Sequence, residues 1–258
     1  MAPPDFDELE LIRRVVPRGL LVDVGAHSGS SLRPFAEDGW CVYAFEPEPR
    51  MRAKLEVLRS PRVSIDPRAV AERDGDLVTL YTSPESTGIT TLAPFRDSHT
   101  PTCVVETVRL DTALNAVSDV TVVKVDTEGY DLPVLRTFPW DRLHPAAVMC
   151  EFEDLKTIKL GYSYSDLWDL IESHDYVVFL SEWWPIHRYG GLHRWRSIGR
   201  DRELADARGW GNVIGVDPSL VDRFDSEIAR AVTQRRLRLV PLRRWVRRGV
   251  RNFLVRGV

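Results

Sequence analysis

Apolar positions Phe6, Leu9, Ile12, Val15 and Val16 recur at helical spacing and give way, after Pro17 and Gly19, to the apolar run LLVDV at 20–24. The pattern predicts a helix that feeds a buried strand. Similar short runs follow: CVYAF at 41–45, VSI at 63–65, VTVVKV at 120–125, AAVMC at 146–150, YVVFL at 176–180 and NVIGV at 212–216. They lack clean apolar–polar alternation, which predicts strands covered on both faces. Helical patterns lie between several of them: SLRPFAEDG, PEPRMRAKLEVL, and SDLWDLIES with Ser165 as its N-cap. Strands alternating with helices predict an α/β, doubly wound, mainly parallel sheet. Residues 77–110 depart from that rhythm, and LVTLYT and CVVETVRL read there as an extra pair of strands joined by a loop rich in Ser, Thr and Pro.

Composition keeps this picture to one large domain: 258 residues, 43% hydrophobic and 28% charged, suffice for one substantial core. We divide the chain into a catalytic domain at 1–228, carrying a lid-like acceptor insertion at 183–210, and an arginine-rich tail at 229–258. Ten arginines fall between Arg230 and Arg256 with no acid beyond Glu227, and the rest of the chain holds 25 basic against 38 acidic residues. From Pro241 onward Leu242, Trp245, Val246, Val250, Phe253 and Leu254 follow one helical face, with arginines around the remainder. Such a basic amphipathic helix has two natural surfaces, the acidic body of a protein and an anionic membrane. No run approaches the ~18 apolar residues of a membrane span, and MAPPDFDELE is acidic where an export signal is basic and then apolar. Cys41, Cys103 and Cys150 are odd in number and have no CxxC spacing, which suits a reduced compartment. The expected location is therefore cytoplasmic, with two readings of 241–258: packing on the acidic body or a second subunit, which is favoured, and peripheral membrane contact.

Candidate chemistry starts at LVDVGAHSGSSL, where Asp23, Gly25 and Gly29 give strand, glycine turn and helix. Glycines permit a tight turn close to a ligand, and the following helix N-terminus can receive a carboxylate. The second strand ends at Glu46, placed to accept hydrogen bonds from both hydroxyls of a ribose. Together they describe a nucleoside site at the carboxyl edge of the sheet. A dinucleotide fingerprint would place glycines at 25, 27 and 30, but His27 and Ser30 stand there. That counts against the first alternative, a nicotinamide-dependent oxidoreductase. A second alternative, a nucleic-acid-binding protein using the arginine tail, meets an acidic body and no recognised binding module, so no nucleic-acid partner is expected.

Four ordered blocks, LVDVGAHSG, YAFEPEP, VRLDTAL and VVKVDTEGYDLPVLRTF, resemble the FkbM-type methyltransferases. The resemblance runs from about Leu20 to Glu151. It implies a class I, Rossmann-like fold, S-adenosylmethionine as methyl donor, and an acceptor hydroxyl on a sugar, glycan or related natural product. It also implies that Asp23, Gly25, His27 and Gly29 surround the methionine portion and that Glu46 binds the ribose; Asp126, just after the fourth core strand, is a further candidate for the donor site. Asp131 departs from the family, which more often carries Glu at that place.

Methyl transfer to an alcohol needs the acceptor oxygen held in line with the methyl carbon and a means of removing its proton. Asp126 and Glu128 follow the fourth strand of the doubly wound core, Glu151 and Glu153 the fifth, and those strand ends should be neighbours. Asp126, Glu128 and Glu151 are the candidate catalytic residues. Asp126, Glu151 and Glu153 are the candidate ligands of a Mg²⁺ ion, since crowded carboxylates call for a proton or a cation. The bland alternative is that Glu151 and Glu153 are solvated loop ends and Asp126 caps a turn. The segment SEWWPIHRYGGLHRWRSIG interleaves Trp183, Trp184, Tyr189 and Trp195 with arginines, a composition suited to stacking on a sugar ring or to packing a lid.

Overall fold

The computed structural model describes residues 6–235. Eight strands form the central sheet: β1 (Leu20–Val24), β2 (Cys41–Phe45), β3 (Val63–Asp66), β8 (Val122–Val125), β9 (Ala147–Glu153), β10 (Val177–Trp183), β11 (Trp195–Gly199) and β12 (Trp210–Val216). Four more, β4 (Ala69–Val70), β5 (Leu77–Ser83), β6 (Ser86–Thr91) and β7 (Thr100–Val108), form a second sheet. The helices are α1 (Glu8–Val15), α2 (Arg33–Glu37), α3 (Pro49–Leu55), α4 (Leu110–Ala113), α5 (Asp131–Leu135), α6 (Asp154–Thr157) and α7 (Tyr164–Glu172), and residues 221–235 are helical.

Strand order in the central sheet is β11-β10-β12-β9-β8-β1-β2-β3. Neighbours from β3 to β9 pair in parallel, whereas β12 runs antiparallel to both β9 and β10, and β11 antiparallel to β10. This is the doubly wound α/β arrangement with a reversed strand inserted near one edge. Its two faces are both covered: Val22 and Val24 enter one apolar core, and Leu21, on the opposite face of the strand, enters the other. That double burial is why the strands read as continuous apolar runs.

Three expectations change. The extra pair of strands is a four-stranded sheet, because the Ser/Thr-rich loop itself forms β6 and lies against β5. The cap of α7 is Ser163, whose N–H and hydroxyl both donate to Asp166, and not Ser165. The 183–210 segment is not one unbroken connection, because its middle, Trp195–Gly199, pairs antiparallel with β10 as β11 and forms the edge of the sheet. Trp195 is buried, stacks on Phe6 with ring centroids 4.0 Å apart, and donates through Nε1 to Ser181 Oγ at 3.1 Å. Ser181 and Trp183 in turn donate to Glu8 Oε1 at 2.6 and 2.7 Å, tying α1 to this edge. Trp195→Ala is therefore expected to cost about 3–5 kcal/mol of stability through the cavity it leaves. Chemical denaturation checks this, and an unchanged midpoint would show the packing to be dispensable.

The helical residues 221–235 run across the 228/229 boundary, and the amphipathic segment from Pro241 lies outside the described residues. Among the described residues, no helix is long and apolar enough to cross a membrane.

Candidate active site

The carboxyl ends of β1, β2, β8 and β9 open into a cavity of about 340 Å³, roofed by β6, within the size range of small-molecule sites. Gly25, Ala26, His27, Ser30 and Ser31 of the glycine turn line one part of it. Glu46, Lys124, Asp126, Glu128 and Glu151 supply its charges, and Thr87, Thr90 and Thr91 come from β6.

Each feature has a local cause. Gly25 has φ +79°, and a Cβ there would lie 1.9 Å from the Asp126 carbonyl oxygen, so the turn passes over β8 only without a side chain. His27 follows with φ +49°, a left-handed conformation uncommon outside glycine. The strained backbone is held by His27 N–H donating to Glu46 Oε2 at 2.6 Å and by the imidazole meeting Thr87 Oγ1 at 3.1 Å. Glu46 Oε1 accepts from Glu48 N–H at 2.8 Å. Each carboxylate oxygen retains further acceptor capacity, and Glu46 lines the cavity. Burial pushes the Glu46 carboxyl up to about 7 despite the two N–H donors.

Two predicted donor-site residues lie beside the cavity and do not line it. Asp23 is fully buried, forms an ion pair with Lys124 Nζ at 3.0 Å and accepts from Ser31 Oγ at 2.7 Å. Gly29, at φ +85°, faces Leu55 and Leu58, where a Cβ would come within 2.7 Å of each. Lys124, missed from the sequence, joins these parts. It sits opposite Asp23 on the neighbouring strand, donates to the Gly25 carbonyl at 2.9 Å and lies 3.5 Å from Asp126 Oδ2. Burial alone would favour the neutral amine, but Asp23 and Asp126 outweigh it and hold the ammonium.

Asp126, Glu128 and Glu151 converge as expected, with a carboxylate oxygen of each within 4.8 Å of the others. Glu128 has φ +57°, and its carbonyl accepts from Thr91 Oγ1 at 3.0 Å, which fastens β6 to the site. Its carboxyl is pushed up to about 7, first by burial and then, against the pull of Lys156, by Asp126. Burial and the neighbouring Glu128 raise Glu151 well above the ordinary carboxylate range. Asp131 Oδ2 accepts from Thr127 Oγ1 at 3.2 Å and Gly129 N–H at 3.3 Å, both within its own turn.

Glu153 does not join the predicted metal set. It lies on the far side of Lys156, with Oε2 at 2.9 Å from the ammonium and Oε1 accepting from Tyr189 at 2.9 Å. Lys156 also lies 2.5 Å from Glu128 Oε2 and 2.9 Å from Glu151 Oε2. The charge for which a Mg²⁺ ion was expected is thus supplied by the chain. Two of the three converging carboxylates already bind an ammonium, which a hard dication would have to displace to reach its octahedral oxygen shell. The residues present do not fit that ion.

Fold and cavity together define a doubly wound α/β protein with a ligand-sized site at the carboxyl edge of its parallel strands. The chain matches the model of the methyltransferase FkbM domain over residues 23–178 and belongs to that family. It is a methyltransferase dependent on S-adenosylmethionine, which sets aside the oxidoreductase alternative. No curated protein matches it in sequence. Similar solved structures include an rRNA methylase from Streptococcus thermophilus, 11% identical, with 84% of this chain and 98% of that chain covered and a TM-score of 0.44. A fibrillarin pre-rRNA processing protein from Methanococcus jannaschii is 12% identical, with 83% and 76% covered and a TM-score of 0.46. Magnesium protoporphyrin IX methyltransferase from Synechocystis, solved with its donor bound, is 9% identical, with 81% and 79% covered and a TM-score of 0.40.

Proposed function

We propose that the protein is an O-methyltransferase acting on a hydroxyl of a sugar, glycan or related polyhydroxylated natural product. The observation that carries this reading is the convergence of Asp126, Glu128 and Glu151 on one wall of the cavity that also holds Glu46 and the glycine turn. When bound, S-adenosylmethionine supplies a methyl carbon on a positive sulfur, and its C–S bond breaks as the acceptor's O–C bond forms.

The chain's part is to hold the donor, aim the acceptor and take its proton. Glu46 accepts the two ribose hydroxyls, and the turn from Gly25 through Ser31 receives the methionine end. The buried apolar side chains of Ala69, Val70 and Leu80 line the same cavity and suit the flat adenine. Glu128 is the base. Its Oε2 is held by Lys156, whereas Oε1 makes no hydrogen bond among the described residues. A carboxylate held near 7 can take a proton from an alcohol as the O–C bond forms and release it afterward. Thr87, Thr90 and Asn212 offer hydrogen bonds, and Tyr130 and Trp210 offer flat faces, the mixture that a polyhydroxylated ring requires.

A panel of free sugars, glycosides and oligosaccharides, supplied with donor carrying a ¹³C methyl group, tests the assignment. The expected product is a methyl ether, identified by the chemical shift of the labelled carbon. Label found on nitrogen or carbon, or no transfer to any hydroxylated acceptor, would overturn it.

A further inference from the structure

Lys156 belongs to α6, the short helix after β9, and is buried at 3% exposure. A lysine so placed is costly unless each of its protons meets an acceptor. Here the three acceptors are Glu128, Glu151 and Glu153, at 2.5, 2.9 and 2.9 Å. The rings of Phe95 and Tyr189 lie 5.5 and 5.9 Å from Nζ, close enough to favour a cation over their faces. Gly129 leaves space for the stem, since a Cβ at that position would come within 3.1 Å of Lys156 Cβ.

We propose that Lys156 is a positioning residue standing where this carboxylate set would otherwise draw a divalent cation, gathering Glu128 and Glu151 beside the acceptor while Glu153 and Tyr189 anchor it from behind. The inference rests on the reading of Glu128 and Glu151 as the proton-accepting wall. The geometry has a clear division. Glu128 and Glu151 face the cavity, whereas Glu153 does not line it and instead binds Tyr189 of the 184–194 connection. One ammonium thus links the reacting wall to the segment beside it. The charge is internal and permanent, and no metal has to be acquired.

The test uses Mn²⁺ as probe, followed by electron paramagnetic resonance on the full chain, and needs neither donor nor acceptor. The wild type is expected to show no saturable binding, and Lys156→Arg should behave like it because the charge is kept. Lys156→Ala removes the ammonium and opens space among oxygen ligands, so it should acquire saturable Mn²⁺ binding, about ten-fold or more above the wild-type background. Glu151→Gln added to that variant should abolish the gain. Lys156→Gln, which fills the space without charge, gives a second route if the alanine variant does not fold. Saturable Mn²⁺ binding by the wild type that Glu151→Gln removes would overturn the proposal, whatever the variants do. So would a folded Lys156→Ala or Lys156→Gln protein with no gain. Either failure leaves the methyl-transfer reading standing, because that reading is tested separately by the labelled acceptor panel.

Discussion

Glu128→Gln is expected to lower turnover by about 10²–10⁴-fold, the usual contribution of a general base, while leaving donor affinity unchanged. The amide keeps the size of the carboxylate but cannot take the acceptor's proton. Because burial raises the Glu128 carboxyl to about 7, the base is ionised above that pH and protonated below it. Turnover at saturating donor should therefore fall as pH drops through 7, by about ten-fold for each further unit. Glu151 titrates with Glu128 as a coupled pair beside Lys156, which keeps its charge, so the inflection belongs to the pair and Glu128→Gln should shift or remove it. Steady-state rates across pH with a sugar acceptor, paired with calorimetric donor binding, check both halves. Near-normal turnover in a folded Glu128→Gln protein would move the base to Asp126 or Glu151.

Glu46→Ala should weaken S-adenosylmethionine by roughly 1.5–3 kcal/mol, or about 10–150-fold, the loss associated with hydrogen bonds to a charged acceptor. Two effects reinforce each other. The ribose loses its acceptors, and His27 N–H, which donates to Glu46 across the strained turn, loses its partner. The pH dependence has a definite sign: burial raises Glu46 to about 7, so protonation competes with the ribose and donor affinity should weaken as pH falls below 7. Glu46→Gln should bind more weakly than wild type at pH 8 and lose that dependence. Isothermal titration at several pH values measures it, and a wild-type dissociation constant that stays flat from pH 6 to pH 8 would place the ribose elsewhere.

The central strands were legible because burial on both faces writes them as uninterrupted apolar runs: β1 and β2 begin and end where LLVDV and CVYAF do. The acids after β8 and at the carboxyl end of β9 were legible because strand order brings those ends together, although β9 runs on through Glu151 to Glu153. Lys156 was not. In DLKTIKL it has the surroundings of a solvated helix residue, and its burial follows from Glu128, 28 positions earlier, together with Glu151 and Glu153. Lys124 carried a usable sign, a single cation in the buried run VVKV opposite the single acid of LVDV. β6 was hidden because STGITT has little apolar periodicity and meets β5 only at Tyr81–Thr91 and Ser83–Ser86. β11 was hidden because WRSIG buries one tryptophan against Phe6 while charged neighbours give the segment the look of a loop.

A crystal structure of the protein with S-adenosylhomocysteine bears most directly on the site. The expected complex has both ribose hydroxyls on Glu46, the amino-acid end at the Gly25–Ser31 turn, and the sulfur turned toward Asp126, Glu128 and Glu151. A nucleoside bound away from Glu46, or a sulfur facing away from those three carboxylates, would contradict it.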